Sequence, residues 1–371
     1  MKRNIKFAFT FLLGMLFLVS SNGCKKTEET APSTGSGGGI TTPPATSVMI
    51  NGYVPDWLSS GSYSSIDYAN LTIAYYAFVV CDVNGNLLDG NGGNLATNTT
   101  QQNNMNTMIA SAHAAGTKAY LSFGGGSYFG SQTFYNMARI DATRKEFAHQ
   151  VKDFCISKGF DGFDVDWEGL GSSAEGAAHE ALLATLKDTL HSVGLGLVVT
   201  VQQGANSASN FTYTGVNHAD LVQIMSYDAT GTWAGSPSGQ HSSYNFAQQG
   251  ISYWGNTRGV SKSKLVLGVP YYGYRFAATT SFVSYKQIVG SYPTLADDQD
   301  YIPTGALSET YYNGFETLMA KTYLAYENRM PGIMIWEMSL DASGAQSLTT
   351  KIVNELSAND LTVMKLTNSI P

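Results

Sequence analysis

From residue 48 onward, short apolar runs rich in Val, Ile and Tyr alternate with longer stretches in which apolar residues return every three or four positions. The two periods belong to strands and to helices with one buried face. Strands are predicted at Met49–Tyr53, Leu71–Val80, Lys118–Phe123, Gly162–Trp167, Gly196–Val201, Leu221–Ser226, Leu265–Pro270 and Ile333–Glu337. Helical patterns fall at Asn104–Ala115, Thr143–Lys158, Glu175–Val193, Phe246–Thr257, Gly314–Asn328 and Ala345–Leu356. The strands are continuous apolar runs rather than alternating ones, as expected of parallel strands covered on both faces. Eight strands separated by helices or helix-length connections predict an α/β fold, a (β/α)8 TIM barrel forming a single domain over residues 48–357. A doubly wound open sheet shares this local signature. In a barrel, however, functional residues gather at the carboxyl ends of many strands at once.

One strand breaks its apolar pattern on one side only. In Asp161-Gly-Phe-Asp164-Val-Asp166-Trp-Glu168 the residues two apart share a face, so Asp164, Asp166 and Glu168 point one way. Phe163, Val165 and Trp167 point the other way. Successive acids stand roughly 6.6 Å apart along the strand, close enough for their side chains to touch. Three such carboxylates cannot all ionise freely in a dry site, so at least one keeps its proton near neutral pH. A calcium loop would need Asn, Gly and carbonyl ligands on a flexible turn, not Phe, Val and Trp between the acids. The stripe reads as acid/base machinery, with Asp161 off the inward register as structural support.

The spacing Asp-x-x-Asp-x-Asp-x-Glu resembles the catalytic signature of glycoside hydrolase family 18, the chitinases and their relatives. Other strand ends carry similar motifs in the same order: Ser122-Phe-Gly124-Gly125-Gly-Ser127, Met225-Ser-Tyr227-Asp228, Gly268-Val-Pro-Tyr271-Tyr272-Gly273, and Trp336 in Gly332-Ile-Met-Ile-Trp336-Glu337. The resemblance implies substrate-assisted retaining hydrolysis, in which the sugar's own acetamide replaces the enzyme nucleophile. By that resemblance Glu168 is the general acid and base. Asp166 orients the acetamide, Asp164 shares a proton with Asp166, and Tyr227 hydrogen-bonds the acetamide or the developing charge. Asp228, Tyr53, Gly124, Gly125, Met225, Tyr272 and the ring of Trp336 form the expected sugar-binding set. As bare residues, Met225 and Tyr271 serve equally well as core, and a glycine run serves equally well as a tight turn.

The implied substrate carries an N-acetyl group: chitin or chitooligosaccharides, with the chitobiose core of N-glycans as the alternative and a non-hydrolytic sugar-binding lectin as a third reading. Gly169-Leu170 departs from the Tyr-Pro that often follows the acid in chitinases. The segment from Arg275 to Asn313 is too short for a full α+β insertion domain, which predicts a shallow cleft and internal cleavage. A net charge of −7 argues against nucleic acid or an anionic membrane surface as partner. No Cys/His spacing suits zinc, since Leu183 stands where a His179-Glu180 motif needs its second histidine. No metal or other cofactor is expected, and a monomer is.

The first 47 residues read differently. A basic start and the apolar run Ile5 to Val19 predict a signal peptide over residues 1–23. Ser21-Asn22-Gly23-Cys24 resembles a bacterial lipoprotein cleavage site, with Ser21 as its departure, so Cys24 is the expected lipidation position and simple secretion the alternative. Residues 24–47 form a flexible, solvated tether. Lipidation would place the protein at the outer membrane or cell surface of a Gram-negative bacterium, touching membrane only through that anchor. Of the three cysteines, Cys81 and Cys155 are then expected as free buried thiols. Residues 358–371 form a C-terminal tail with no assigned role.

Overall fold

The computed structural model describes residues 46–277, 280–294 and 297–368. The signal peptide, Cys24 and the tether therefore lie outside the described residues. Eight parallel strands close on themselves: β1 (Ser47–Pro55), β2 (Ile73–Cys81), β3 (Lys118–Gly124), β4 (Gly162–Asp166), β5 (Gly196–Gln202), β6 (Leu221–Met225), β7 (Leu265–Pro270) and β8 (Gly332–Trp336). Each pairs with its neighbour in sequence, and β1 pairs with both β2 and β8, so no open edge remains. This is the TIM barrel, and closure rules out the open sheet.

Alternation within each strand divides the side chains into two layers. On β2, Ile73, Tyr75 and Ala77 fill the barrel interior while Ala74, Tyr76 and Val79 face the helices. On β4 the outward set is Phe163 and Val165, which leaves Asp164 and Asp166 inside. Both layers are buried, which explains why the strands read as unbroken apolar runs. The strand predicted to end at Trp167 ends at Asp166, so Glu168 leaves the sheet at its carboxyl end.

The exit from β4 is short and tightly capped. Ser172 caps the helix Ser173–His191 by accepting the Glu175 N–H, while the Glu175 carboxylate accepts the N–H groups of Ser172 and Gly171. Six residues after Asp166 the chain reaches the cap of the next helix, so the connection that carries Glu168 is short. The helix predicted over Phe246–Thr257 divides into an α-helix, Tyr244–Ile251, and wider π-type turns over Ser252–Thr257.

Two segments depart from simple alternation. Between β7 and β8 the chain builds a small antiparallel sheet, ordered Ser281–Ser284, Tyr272–Arg275, Thr310–Tyr311, Tyr301–Ile302, with the short helix Tyr285–Ser291. The insertion is thus a miniature α+β unit rather than a plain loop. At the opposite face, Thr362–Val363 of the C-terminal tail pair in parallel with Ser47–Val48. Lys365 then donates to the Leu71 carbonyl at 2.7 Å and the Thr117 hydroxyl at 3.0 Å.

The β1–β8 seam depends on Gly332, which pairs with Met49. A Cβ at Gly332 would overlap the Met49 backbone, which has nowhere to move inside a closed sheet. Gly332→Ala is expected to destabilise the barrel by roughly 2 kcal/mol or more, read as a fall in the midpoint of thermal or urea unfolding. An unchanged midpoint would show that the seam is not close-packed.

Candidate active site

The carboxyl ends of β1, β3, β4, β5, β6 and β8 converge on the acidic stripe. Parallel pairing sets Ser122 beside Asp164 and Gly124 beside Asp166. Asp164 is fully buried and accepts hydrogen bonds from Ser122 Oγ at 2.6 Å, Tyr53 OH at 2.8 Å and Thr200 Oγ1 at 2.9 Å. Below it, Gln223 donates to Tyr53 and Thr200, and Asn51 donates to Gln223 and to Tyr75. A chain of polar side chains thus fills the barrel axis beneath the first acid. Asp164 meets hydroxyls rather than Asp166, so the two aspartates act on each other through charge and not through a hydrogen bond.

Asp166 is almost fully buried and its Oδ1 has no hydrogen-bond partner. Burial raises its pKa well above the ordinary carboxylate value, helped by the charges of Glu168 and then Asp164. Burial also lifts Glu168 to about 7, with the charge of Asp228 adding to it. Asp164 rises to about 6 because burial outweighs its three hydroxyl donors. Near neutral pH the stripe therefore retains protons. Glu168 is half-buried, its carboxylate lies over Gly126, and that carboxylate has no hydrogen bond among the described residues, although the backbone carbonyl accepts the Gly130 N–H at 2.9 Å.

The remaining predicted residues divide into those that meet the acids and those that serve other needs. Tyr227 is nearly buried, and its phenol, raised by burial and by the Asp166 charge, stays protonated and reaches Met334 Sδ at 3.8 Å. Trp336 stacks on Phe78 with ring centres 5.7 Å apart and leans on Tyr53 at 5.3 Å, which leaves it half-buried as a floor. Met225 is half-buried against the interior cluster. Asp228 accepts the hydroxyls of Tyr272 at 2.5 Å and Tyr274 at 3.1 Å.

Four residues of the expected sugar-binding set are engaged within the protein itself. Tyr53 is 1% exposed and its hydroxyl serves Asp164, so it supports the acids rather than the sugar. Tyr272 is likewise buried, with its hydroxyl engaged on Asp228. Gly124 and Gly125 have φ of 111° and 83°, and a Cβ on them would strike the Asp166 carbonyl and the Phe78 ring respectively. The protein's own packing requires these glycines.

Thr200, Gln223 and Asn51 went unassigned from sequence, although each is a polar residue at the inward register of an apolar strand, the signal that singled out the acids. His241 also went unassigned. It is fully buried, lies 3.4 Å from Asp228 Oδ1, and comes from a loop with no pattern to mark it. Around the mouth, Trp57 (62% exposed), Phe129 and Trp233 (49% exposed) stand on the loops after β1, β3 and β6, and Phe282 on the insertion. Trp57 extends the aromatic surface from Trp336, with ring centres 6.4 Å apart.

The family model for glycosyl hydrolases family 18 matches residues 49–341, which spans the barrel and every motif described above. The chain belongs to that family. The matched region is a glycoside hydrolase domain of the chitinase type. The family 18 chitinase ChiB of Flavobacterium johnsoniae superposes with a TM-score of 0.73 at 26% identity, covering 88% of this chain and 99% of that one. Endochitinase 1 of Metarhizium robertsii is 28% identical over 294 residues, 66% of each protein. A probable endochitinase of Caenorhabditis elegans is 34% identical over 177 residues, 42% of this chain and 28% of the relative. The chain thus spans under two thirds of these curated relatives' lengths.

The family 18 stripe allows a direct titration test. Tyr53→Phe removes a donor that favours the ionised form of Asp164, so its pKa should move further above about 6. Carboxyl-carbon NMR should show the lower titration midpoint of the aspartate pair at higher pH. A midpoint that stays or falls would show that this hydroxyl does not stabilise the carboxylate.

Proposed function

We propose that this chain hydrolyses β-1,4 bonds between N-acetylglucosamine units of chitin or chitooligosaccharides, with retention and with the substrate acetamide as nucleophile. The observation that carries the reading is the pairing of Asp166, buried with an unpartnered oxygen, with Glu168, half-open and titrating at about 7. An acetamide N–H is the donor that Asp166 lacks. Glu168 donates its proton to the glycosidic oxygen as that bond to the anomeric carbon breaks. The acetamide carbonyl oxygen then bonds the same carbon, giving an oxazolinium cation beside Asp166. Water, deprotonated by Glu168, attacks from the face the leaving group vacated and releases the acetamide. Two displacements at one carbon retain its configuration.

Tyr227, held protonated, is placed to donate to the acetamide oxygen. The sugar at the cleavage site lies over Trp336, and Trp57 continues that surface for a linear chain. The insertion between β7 and β8 is a small four-stranded sheet with one short helix, and its small size is what supports a cleft open to internal cleavage.

The test compares wild type and Glu168→Gln on chitooligosaccharides and, separately, on a high-mannose glycopeptide, with products read by mass spectrometry. Oligosaccharide cleavage should fall roughly 10²-fold to 10⁴-fold in the variant. Because only protonated Glu168 can act as acid, wild-type kcat/KM should decline as pH rises through about 7. Glycan release without oligosaccharide cleavage would move the substrate to N-glycans. Binding without turnover on either would make the protein a lectin. A product series dominated by disaccharide from the start would overturn internal cleavage.

We propose also that the chain is exported and lipidated at Cys24. Mass spectrometry of the protein from membranes should find a diacylglyceryl thioether on an N-terminal Cys24, and an unmodified soluble form would show plain secretion.

A further inference from the structure

The loop after β6 is held from behind by a lysine that reaches neither the cleft nor solvent. Lys321, on the helix Phe315–Glu327, is 0% exposed. Its Nζ lies 2.6 Å from the Ser242 carbonyl, 2.7 Å from Ser242 Oγ and 2.7 Å from Asn313 Oδ1. Ser242 Oγ already donates its hydrogen to the Ser226 carbonyl, and the Asn313 amide donates to Ser242 and Tyr312. All three contacts therefore need a hydrogen from Lys321, which only the ammonium form can supply. No carboxylate lies within ion-pair distance of it among the described residues, and Asp300 acts on it only through longer-range charge. Burial lowers its pKa to about 7. A buried ammonium without a carboxylate partner is a costly way to pin an ordinary loop.

What it pins leads to the acid. Ser242 follows His241, whose Nε2 donates to the Tyr272 carbonyl at 3.2 Å and whose Nδ1 accepts the Asp228 N–H at 3.4 Å. Asp228 has φ of 61°, the left-handed region a side chain rarely adopts, so its conformation depends on such contacts. The groups facing its carboxylate are His241, Tyr272 and Tyr274, with Tyr227 and Glu168 nearby in charge. After burial, the Asp228 charge is what raises Glu168.

We infer that Lys321, acting through Ser242 and His241, is a positioning residue that fixes Asp228 in the loop after β6. The inference rests on the reading of Glu168 as general acid. If Asp228 drifts away, Glu168 loses a like-charged neighbour and its proton affinity falls. The alkaline limb of kcat/KM then moves to lower pH.

The experiment measures that limb on a chitooligosaccharide for wild type, Asp228→Asn, Lys321→Met and Ser242→Ala, with circular dichroism and melting curves confirming the fold. Asp228→Asn should move the limb down by roughly half a unit or more. Lys321→Met and Ser242→Ala should move it in the same direction, so that activity falls further at pH 8 than at pH 5. Should Lys321→Met not fold, Ser242→Ala, which keeps the lysine and removes one acceptor, decides alone. Folded variants that lose activity equally at every pH, with the limb in place, would overturn the relay. So would an unmoved limb in Asp228→Asn. Absence of hydrolysis by the wild type would remove the acid reading and the relay together, whereas hydrolysis with an unmoved limb removes the relay alone.

Discussion

A carboxylate on the axis of a closed barrel survives only if donors answer its charge or a proton cancels it, and Asp164 has three hydroxyls around it. Those hydroxyls come from β1, β3 and β5, so the three strands must stand in fixed register around β4 for the carboxylate to be tolerated. The interaction works in both directions: the barrel makes the acid affordable, and the acid fixes the relative heights of the strands. Asp166 and Glu168 then sit progressively nearer the mouth and answer to different neighbours. Asp166 feels mainly burial and charge, and Glu168 mainly burial and Asp228. One stripe on one strand thus yields three proton affinities from a gradient of surroundings rather than from three different side chains.

That gradient explains why the polar interior is extensive. A barrel core is usually filled with branched apolar side chains. Here Asn51, Gln223, Thr200 and Tyr53 displace some of them and form a hydrogen-bonded column below Asp164. Each member is nearly or fully buried. Replacing any one with an apolar residue would leave a neighbour's donor or acceptor unmatched, so the column is a cooperative unit rather than a set of separate contacts.

The barrel was legible because its strands are buried on both faces, and the acids were legible because they break that pattern every second residue. Strand positions came through to within two residues, the largest shifts being at both ends of β1 and at the start of β2. What stayed hidden depends on contacts distant in sequence. No periodicity announces that a tyrosine on β1 bonds an aspartate on β4, so Tyr53 and Tyr272 read as sugar ligands until their burial was seen. The glycines at the end of β3 read as part of the sugar-binding set, yet the Asp166 carbonyl and Phe78 lie where side chains on them would be. The insertion sheet is built from strands of two to four residues, too short to carry an alternation of their own. His241 and Lys321 are single polar residues whose role is defined only by what packs against them.

The pairing of Thr362–Val363 with Ser47–Val48 sets the geography of the whole molecule. It places the entry to the first strand and the exit after the last helix side by side at the amino ends of the strands, while the aromatic mouth opens at the carboxyl ends. Anything joined to the chain ahead of residue 46 attaches at the pole opposite the cleft. The approach to the mouth is thereby kept clear of the point at which the chain enters the barrel.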